Sequence, residues 1–255
     1  MTLAILSSIA TISMYTETML LPALPQLIDE FNLSYNTSSW ILSAYLVAGA
    51  VMTPVSGKLS DIYGKKKIMI ILISIYTIGL VISPLSSNFF MLLISRILQG
   101  IGISVFPVTF GLVREHFPRE KLAISQGIIS SMFAGGSVLG LAIGGSIVQY
   151  YDWRLTFISI IPIAICLIII IMRFIPTEKR AIINSKIRNN ESAEKFDLRG
   201  SILLGVSIIT FLLFITFLKT DSLDTNDTRL NFINIPLTSL FCLTVFISSF
   251  VAFLF

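Results

Sequence analysis

The sequence predicts an all-α, multi-spanning membrane protein, and three observations carry that prediction. Of 255 residues, 55% are hydrophobic and 13% charged, where a soluble domain carries roughly 25% charged residues. The apolar residues run in stretches of about 20, the length that crosses a hydrocarbon core, rather than in the short alternation of a membrane barrel. The basic residues gather between alternate stretches, the asymmetry that orients polytopic proteins.

Eight spans are expected, at Thr2–Leu27, Ser38–Ser56, Ile68–Ser87, Phe89–Val113, Leu122–Tyr150, Leu155–Phe174, Gly200–Leu218 and Asn231–Phe255. Met1 runs into apolar sequence without a basic leader or a small-residue cleavage site, so the first stretch reads as a span in its own right. Ser83-Pro84-Leu85-Ser86-Ser87-Asn88 divides the third from the fourth, because these residues favour turns over helix continuation. Residues 175–199 form the one long polar segment and read as a cytoplasmic linker. The expected organisation is a six-helix N-terminal bundle over 1–174, the linker over 175–199, and two additional helices over 200–255.

Fourteen of the 18 basic residues fall after spans 2, 4 and 6: Lys58 and Lys65 to Lys67, then Arg114, Arg119 and Lys121, then the seven from Arg173 to Arg199. This places those loops and the N-terminus in the cytoplasm. The net charge of +4 is therefore a topology signal beside anionic lipid, not a nucleic-acid surface. Cys166 and Cys242 lie in apolar runs without ligand partners and read as structural thiols. His116, amid charged residues, reads as a solvated loop residue. No metal or cofactor is implied.

The most specific pattern follows span 2: Gly57-Lys58-Leu59-Ser60-Asp61-Ile62-Tyr63-Gly64-Lys65-Lys66-Lys67. Gly57 and Gly64 would bracket a tight reversal, and Asp61 among lysines can pair with a base or cap a helix. This stretch resembles the signature loop of the major facilitator superfamily, Gly-x-Leu-x-Asp-x-x-Gly followed by basic residues. The resemblance implies a six-helix bundle of that type in the plasma membrane. It also implies that the loop, with Gly57, Asp61, Gly64, Lys65 and Lys66, gates by docking on a second half.

In span 4, Arg96, Gln99 and Gly100 fall at i, i+3 and i+4 and share a face, with Gly102 nearby. An arginine inside a span marks function by default, whereas snorkelling to the surface, about 10 Å away, is the bland alternative. The spacing is similar to the superfamily's span-4 motif, whose arginine is associated with proton coupling.

In span 5, Gly136, Gly140 and Gly144 recur every four residues, joined by Gly135 and Gly145, and form a stripe suited to backbone-to-backbone packing. Gly140-Leu141-Ala142-Ile143-Gly144-Gly145 resembles the antiporter signature of drug exporters, with Leu141 where that family has proline. Span 1 ends Tyr15-Thr16-Glu17-Thr18 to Ala23-Leu24-Pro25, similar to the span-1 motif of fourteen-span drug:proton antiporters. That motif carries an aspartate where Thr16 stands. Glu17, one residue on, is the carboxylate well inside a span and can exchange a proton. By depth, Glu17 and Arg96 are expected to face one cavity. Trp153-Arg154 with Phe157 and Pro162, and Phe196-Asp197-Leu198-Arg199-Gly200, extend the resemblance to spans 6 and 7.

The resemblance implies a secondary carrier for a small-molecule substrate and protons, working by alternating access between two bundles, with twelve or fourteen spans in the full carrier. Export of amphiphilic compounds is the favoured direction, with uptake of sugars or metabolites as the alternative. An enzyme is not expected: Asp221, Asp224 and Asp227 are spaced by three, but read as a polar turn. Eight spans are too few for a carrier of roughly 400 residues. The chain is thus expected to be the front portion of one, needing a C-terminal half in cis or as a separate chain.

Overall fold

A computed structural model describes residues 2–175, 200, 203–211, 214 and 237–254. Among them every regular element is helical. The chain divides into two compact units, Met1–Glu194 and Lys195–Phe255.

The first unit contains α1 (Thr2–Thr18), α2 (Leu24–Glu30), α3 (Tyr35–Tyr63), α4 (Lys65–Ile82), a 3₁₀ turn (Ser83–Leu85), α5 (Phe89–Ile103), α6 (Val105–His116), α7 (Arg119–Tyr150) and α8 (Trp153–Phe174). Five stretches are long and apolar enough to cross a membrane: Tyr35–Tyr63, Lys65–Leu85, Phe89–His116, Arg119–Tyr150 and Trp153–Phe174. At 17 residues, α1 is about 25 Å long and completes a crossing only with the turns and α2 beyond it.

Proline sets the two interruptions. Pro22 has no N–H for the Thr18 carbonyl four residues back, so α1 stops at Thr18. Tighter bonds take over, from Leu21 N to Thr18 O at 3.2 Å and from Ala23 N to Leu20 O at 3.0 Å. Pro107 likewise cannot bond the Ile103 carbonyl, and the fourth span breaks at Ser104 into α5 and α6. The Ser56 hydroxyl donates to the Ser104 carbonyl at 2.6 Å and steadies that break. Side-chain caps start α3, where Ser34 accepts from Thr37 N, and α5, where Asn88 accepts from Met91 N.

The helices alternate in direction, and contacts at the two ends of the bundle bear this out. At one end the Lys66 ammonium donates to the Met172 carbonyl at 2.9 Å, joining the start of α4 to the finish of α8. At the other, Arg154 at the start of α8 reaches Glu30 at the finish of α2.

The structure redraws the stretch after span 2. Residues 57–63 are helical, the last two turns of α3, so Gly57 is a mid-helix residue and Asp61 and Lys58 project from a helix. The reversal is Gly64 alone, at φ 95°, a conformation that favours glycine. His116 also proves helical, in the exposed last turn of α6, with Nδ1 3.1 Å from the Leu112 carbonyl.

α1 lies along α7, and the glycine stripe is the reason. A Cβ at Gly136 would collide with the backbone of Thr11, at Gly140 with Tyr15 and Thr18, and at Gly144 with Met19. The Thr18 hydroxyl donates across this seam to the Ser137 carbonyl at 3.0 Å. Gly145 is in ordinary contact with Pro22, and nothing lies within 4 Å of a Cβ at Gly135, so the stripe proper is Gly136, Gly140 and Gly144.

In the second unit, helical residues 203–211 pack on α9 (Leu237–Leu254), with the Ser249 hydroxyl donating to the Leu203 carbonyl at 2.7 Å and Phe211 5.0 Å from Phe246. The expected linker, apart from Ile175, and the triad Asp221, Asp224 and Asp227 lie outside the described residues, as do parts of expected spans 7 and 8.

Alanine at Gly140 forces α1 away from α7 and is expected to destabilise the chain by about 1–3 kcal/mol. Alanine at Gly135 meets open space and should be neutral or slightly stabilising. Thermal unfolding of the two variants in detergent checks this contrast.

Candidate functional site

The centre of the bundle is polar. Arg96, on α5, is 1% exposed, so it does not snorkel. Its Nη1 donates to Gln99 Oε1 at 3.0 Å, one helical turn on. Gln99 Nε2 in turn donates to Ser83 Oγ at 2.8 Å, and Ser83 Oγ lies 2.9 Å from Ser95 Oγ. The Phe157 ring of α8 covers the guanidinium, 5.0 Å from Cζ to the centroid. Arg96 Nε and Nη2 are buried and have no hydrogen-bond partner. Orphaned buried donors cost roughly 1–3 kcal/mol each, and this guanidinium has two donors left for a further acceptor.

Close packing on glycine shapes the surroundings of Arg96. A Cβ at Gly100 would run into the Tyr45 carbonyl of α3, and one at Gly102 into Tyr76 of α4. Gly79 reciprocates on α4, where a Cβ would sit 2.8 Å from the Ser95 carbonyl. α5 is thus wedged between α3 and α4, and this brings Tyr45 and Tyr76 beside Arg96. Both rings are buried. Tyr45 Oη donates to the Ser13 carbonyl at 3.5 Å, and Tyr76 Oη to Thr16 Oγ1 at 2.5 Å.

Glu17 is half-buried, at the last turn of α1 beside the proline break. α1 ends one residue beyond the carboxylate, because Pro22 cannot bond the Thr18 carbonyl. Neither a hydrogen bond nor an ion pair within 4.0 Å joins Glu17 to Arg96, yet the two charges act on one another and on both tyrosines. Thr16, where the resembling motif carries an aspartate, is fully buried, and its hydroxyl donates to the Ile12 carbonyl at 2.8 Å. Tyr45, Tyr76, Ser83, Ser95 and Phe157 were not singled out as site residues. The only signal for them is that a phenol or hydroxyl within an apolar run must find a partner when buried.

The signature residues cluster at the other end of the bundle. Lys65 Nζ is 3.6 Å from Asp61 Oδ1 and forms an ion pair with Glu115 of α6. Gly111 leaves room for the stem of Lys65, since a Cβ there would lie 2.7 Å from Lys65 Cε. Asp61 itself is exposed, and Lys66 caps α8.

At the Glu30 end, the carboxylate accepts from Arg154 Nη2 at 2.5 Å and Nη1 at 3.2 Å, and from Trp153 Nε1 at 2.6 Å. The Arg154 hydrogen bonds hold the Glu30 carboxyl below the ordinary carboxylate range; burial opposes them as the next-largest effect, and the Trp153 hydrogen bond and the Arg154 charge add to the lowering. Among the described residues no group of three or more His, Cys, Asp or Glu could hold a metal ion.

Helices packed about a buried arginine and a half-buried carboxylate, five of them long and apolar enough to cross a membrane, define a polytopic α-helical membrane protein. The chain belongs to the Major Facilitator Superfamily, whose sequence profile matches residues 6–255. Proteins of this family are transporters, not enzymes. The uncharacterized MFS-type transporter YwoD of Bacillus subtilis (strain 168) is 31% identical over 204 residues, 78% of this chain and 43% of that protein. The uncharacterized MFS-type transporter Rv1877 of Mycobacterium tuberculosis (strain ATCC 25618 / H37Rv) is 31% identical over 165 residues, 64% of this chain and 24% of that protein. The chain thus spans less than half the length of these curated relatives. Among solved structures, a D-xylose-proton symporter superposes with TM-score 0.62 at 16% identity, covering 98% of this chain and 66% of that one. The human organic anion transporter MFSD10 (TETRAN) superposes with TM-score 0.61, also at 16% identity, covering 98% and 70%. Both likenesses concern the fold.

Because its folded pKa is depressed, Glu30 adds stability above the unfolded carboxylate value of about 4.3, and that contribution disappears as pH falls through the lower folded value. Thermal stability in detergent should lose this contribution only below about pH 4, and Glu30→Gln should remove it at every pH, at about 1 kcal/mol for a part-exposed clasp.

Proposed function

We propose that this chain forms the N-terminal bundle of a proton-coupled secondary carrier that exports amphiphilic small molecules by alternating access. The carrier sits in the plasma membrane, with the N-terminus in the cytoplasm. The observation that carries the proposal is Arg96: a buried cation with two unpartnered donors, in electrostatic reach of one half-buried carboxylate.

Glu17 is the group that gains and loses the proton. Deprotonated, it is an anion whose natural partner is the guanidinium of Arg96. Protonated, it loses that attraction. The equilibrium between two arrangements of α1 then follows the proton, provided Glu17 interacts differently with Arg96 in each. The end of α1 at Thr18, set by Pro22 four residues further on, lets this part of the helix move without unfolding the rest. Gln99 holds Arg96 from the far side and Gly100 keeps α5 close to α3, so the cation stays while the carboxylate moves.

The resemblance to drug exporters in spans 1 and 5 supports the amphiphilic substrate class over sugars or other metabolites. The charge distribution supports the cytoplasmic N-terminus, since Lys58, Lys65, Lys66, Lys67, Arg114, Arg119, Lys121 and Arg173 project at the end of the bundle where α3 and α8 finish. The share of the relatives' length that the chain spans supports placing transport in an assembled carrier. A second bundle, in cis or as another chain, would close the cavity and receive the Asp61 face. On this reading the chain alone does not transport.

Proteoliposomes holding the complete carrier, with ethidium as the probe and an imposed pH gradient, test this directly. Glu17→Gln and Arg96→Gln each remove a charge-assisted interaction of roughly 1.5–3 kcal/mol, so gradient-driven flux should drop about ten- to hundredfold. Gradient-driven flux that survives Glu17→Gln unchanged rules out the coupling role, and flux of xylose but not ethidium rules out the substrate class.

A further inference from the structure

Arg96 makes one hydrogen bond and lies against one ring. A guanidinium held at a single nitrogen can turn about that bond, so the Phe157 face fixes its plane. Phe157 is itself positioned. Its ring meets Trp153 edge to face, at 6.0 Å and 88°. Trp153 and Phe157 are four residues apart on α8 and share one face. Phe31 closes the other side of the indole at 6.2 Å and 61°. The indole cannot slide along this stack, because its Nε1 is tied to Glu30 Oε2 at 2.6 Å, and Glu30 is gripped in turn by both nitrogens of Arg154. Asp152 steadies Arg154 from below, through Nη1 at 3.2 Å.

We infer that Glu30, Trp153 and Phe157 are positioning residues for Arg96: a continuous line of packed rings transmits the geometry of the Glu30 clasp to the coupling guanidinium. The line has few soft points. Trp153 is 1% exposed and Phe157 fully buried, both have two side-chain torsions, and close-packed interiors transmit displacement rather than absorb it. Loosening the clasp tilts the indole, the Phe157 ring follows, and Arg96 turns until Nε or Nη2 finds another acceptor. The carboxylate of Glu17 then meets a cation already engaged. The inference rests on the coupling role proposed for Arg96, but the mechanical line can be measured without transport.

The chain has two tryptophans, so Trp40→Phe leaves Trp153 as a single reporter. The first measurement is acrylamide quenching of Trp153 in the purified chain in detergent, with circular dichroism as the check on helix content. Phe157→Leu and Arg96→Gln should each raise the quenching constant about two- to thirtyfold at most, the range of measured coupling along packed networks. Phe157→Tyr, which keeps the ring, should restore it. Arg96→Lys, which keeps the charge and loses the plane, should behave as Arg96→Gln and serves if the neutral variant unfolds. Quenching of Trp153 that ignores every change at position 96 overturns the line.

The second measurement is the pH profile of ethidium flux by the complete carrier. Glu30→Gln and Phe157→Leu should displace the profile, with Phe157→Tyr following the unmutated protein. An unmoved profile, with Trp153 quenching altered, reduces the line to a structural brace and overturns its role in coupling. Absence of proton-driven flux in the unmutated carrier sinks the coupling reading itself, and the quenching result then decides the mechanical line alone.

Discussion

The side chain of Arg96 sits inside the bundle where neither water nor lipid headgroup can reach it, and four helices are arranged around that fact. Placing a charged side chain at mid-membrane costs on the order of 3 kcal/mol even by lenient scales. The packing offsets part of the cost through Gln99 and the Phe157 ring, but leaves two donors open. Each helper needs its own support. Gln99 depends on Ser83, which is in reach because Pro84 ends α4 in a 3₁₀ turn. Tyr45 and Tyr76 are near because glycines on α5 admit α3 and α4 to backbone contact. A protein selected only for stability would carry an apolar residue at position 96 and need none of these.

The same bundle has a stiff seam and a weak point on one helix. Along α7, α1 is locked at Gly136, Gly140 and Gly144. Beyond Thr18 the helix gives way to turns closed by three-residue bonds. Glu17 sits at the boundary between these regimes. A carboxylate on the rigid side would have a fixed distance to Arg96, and one well past the break would have no defined position. At the boundary its backbone is held by α1 while the residues beyond follow a different hydrogen-bonding pattern, the placement that the coupling role proposed above calls for.

Much of this was legible in the sequence, and the failures have a common cause. Six spans, their alternation and the lysine-rich turn follow from local composition, and Gly64 at positive φ occupies the one position where the chain reverses. Arg96 and Gln99 at i and i+3 do bond, as their spacing on one face suggests. The glycine period announced a close seam, though not that α1 fills it. What escaped is non-local or set by proline. The residues after Gly57 look like a loop because they are polar, but polar residues continue a helix beyond the membrane as easily as they end it. The breaks at Thr18 and Ser104 each lie three or four residues before a proline, a signal present in the sequence but masked by unbroken hydrophobicity. Tyr76, Ser83 and Phe157 come from three separate elements and lie 13 or more positions from Arg96, beyond the reach of any helical spacing rule.

The exchange at positions 16 and 17 shows how the site tolerates departure from the pattern it resembles. An acid at 16 would lie where the Thr16 hydroxyl now accepts from Tyr76 and donates to Ile12, in a fully enclosed spot. There a carboxylate would have to be charged beside a phenol, without water. Shifting the acid one residue rotates it by about 100° around α1, to a half-buried position that still acts on Arg96. The buried threonine keeps α1 pinned to α4, and the carboxylate is half-buried rather than enclosed. Two tasks that a single aspartate would combine, anchoring the helix and carrying the charge, are divided here between neighbouring residues. The separation has a structural consequence. The Tyr76–Thr16 bond does not involve Glu17, so on the reading proposed above a change of charge at Glu17 leaves the tie of α1 to α4 and its seam against α7 in place.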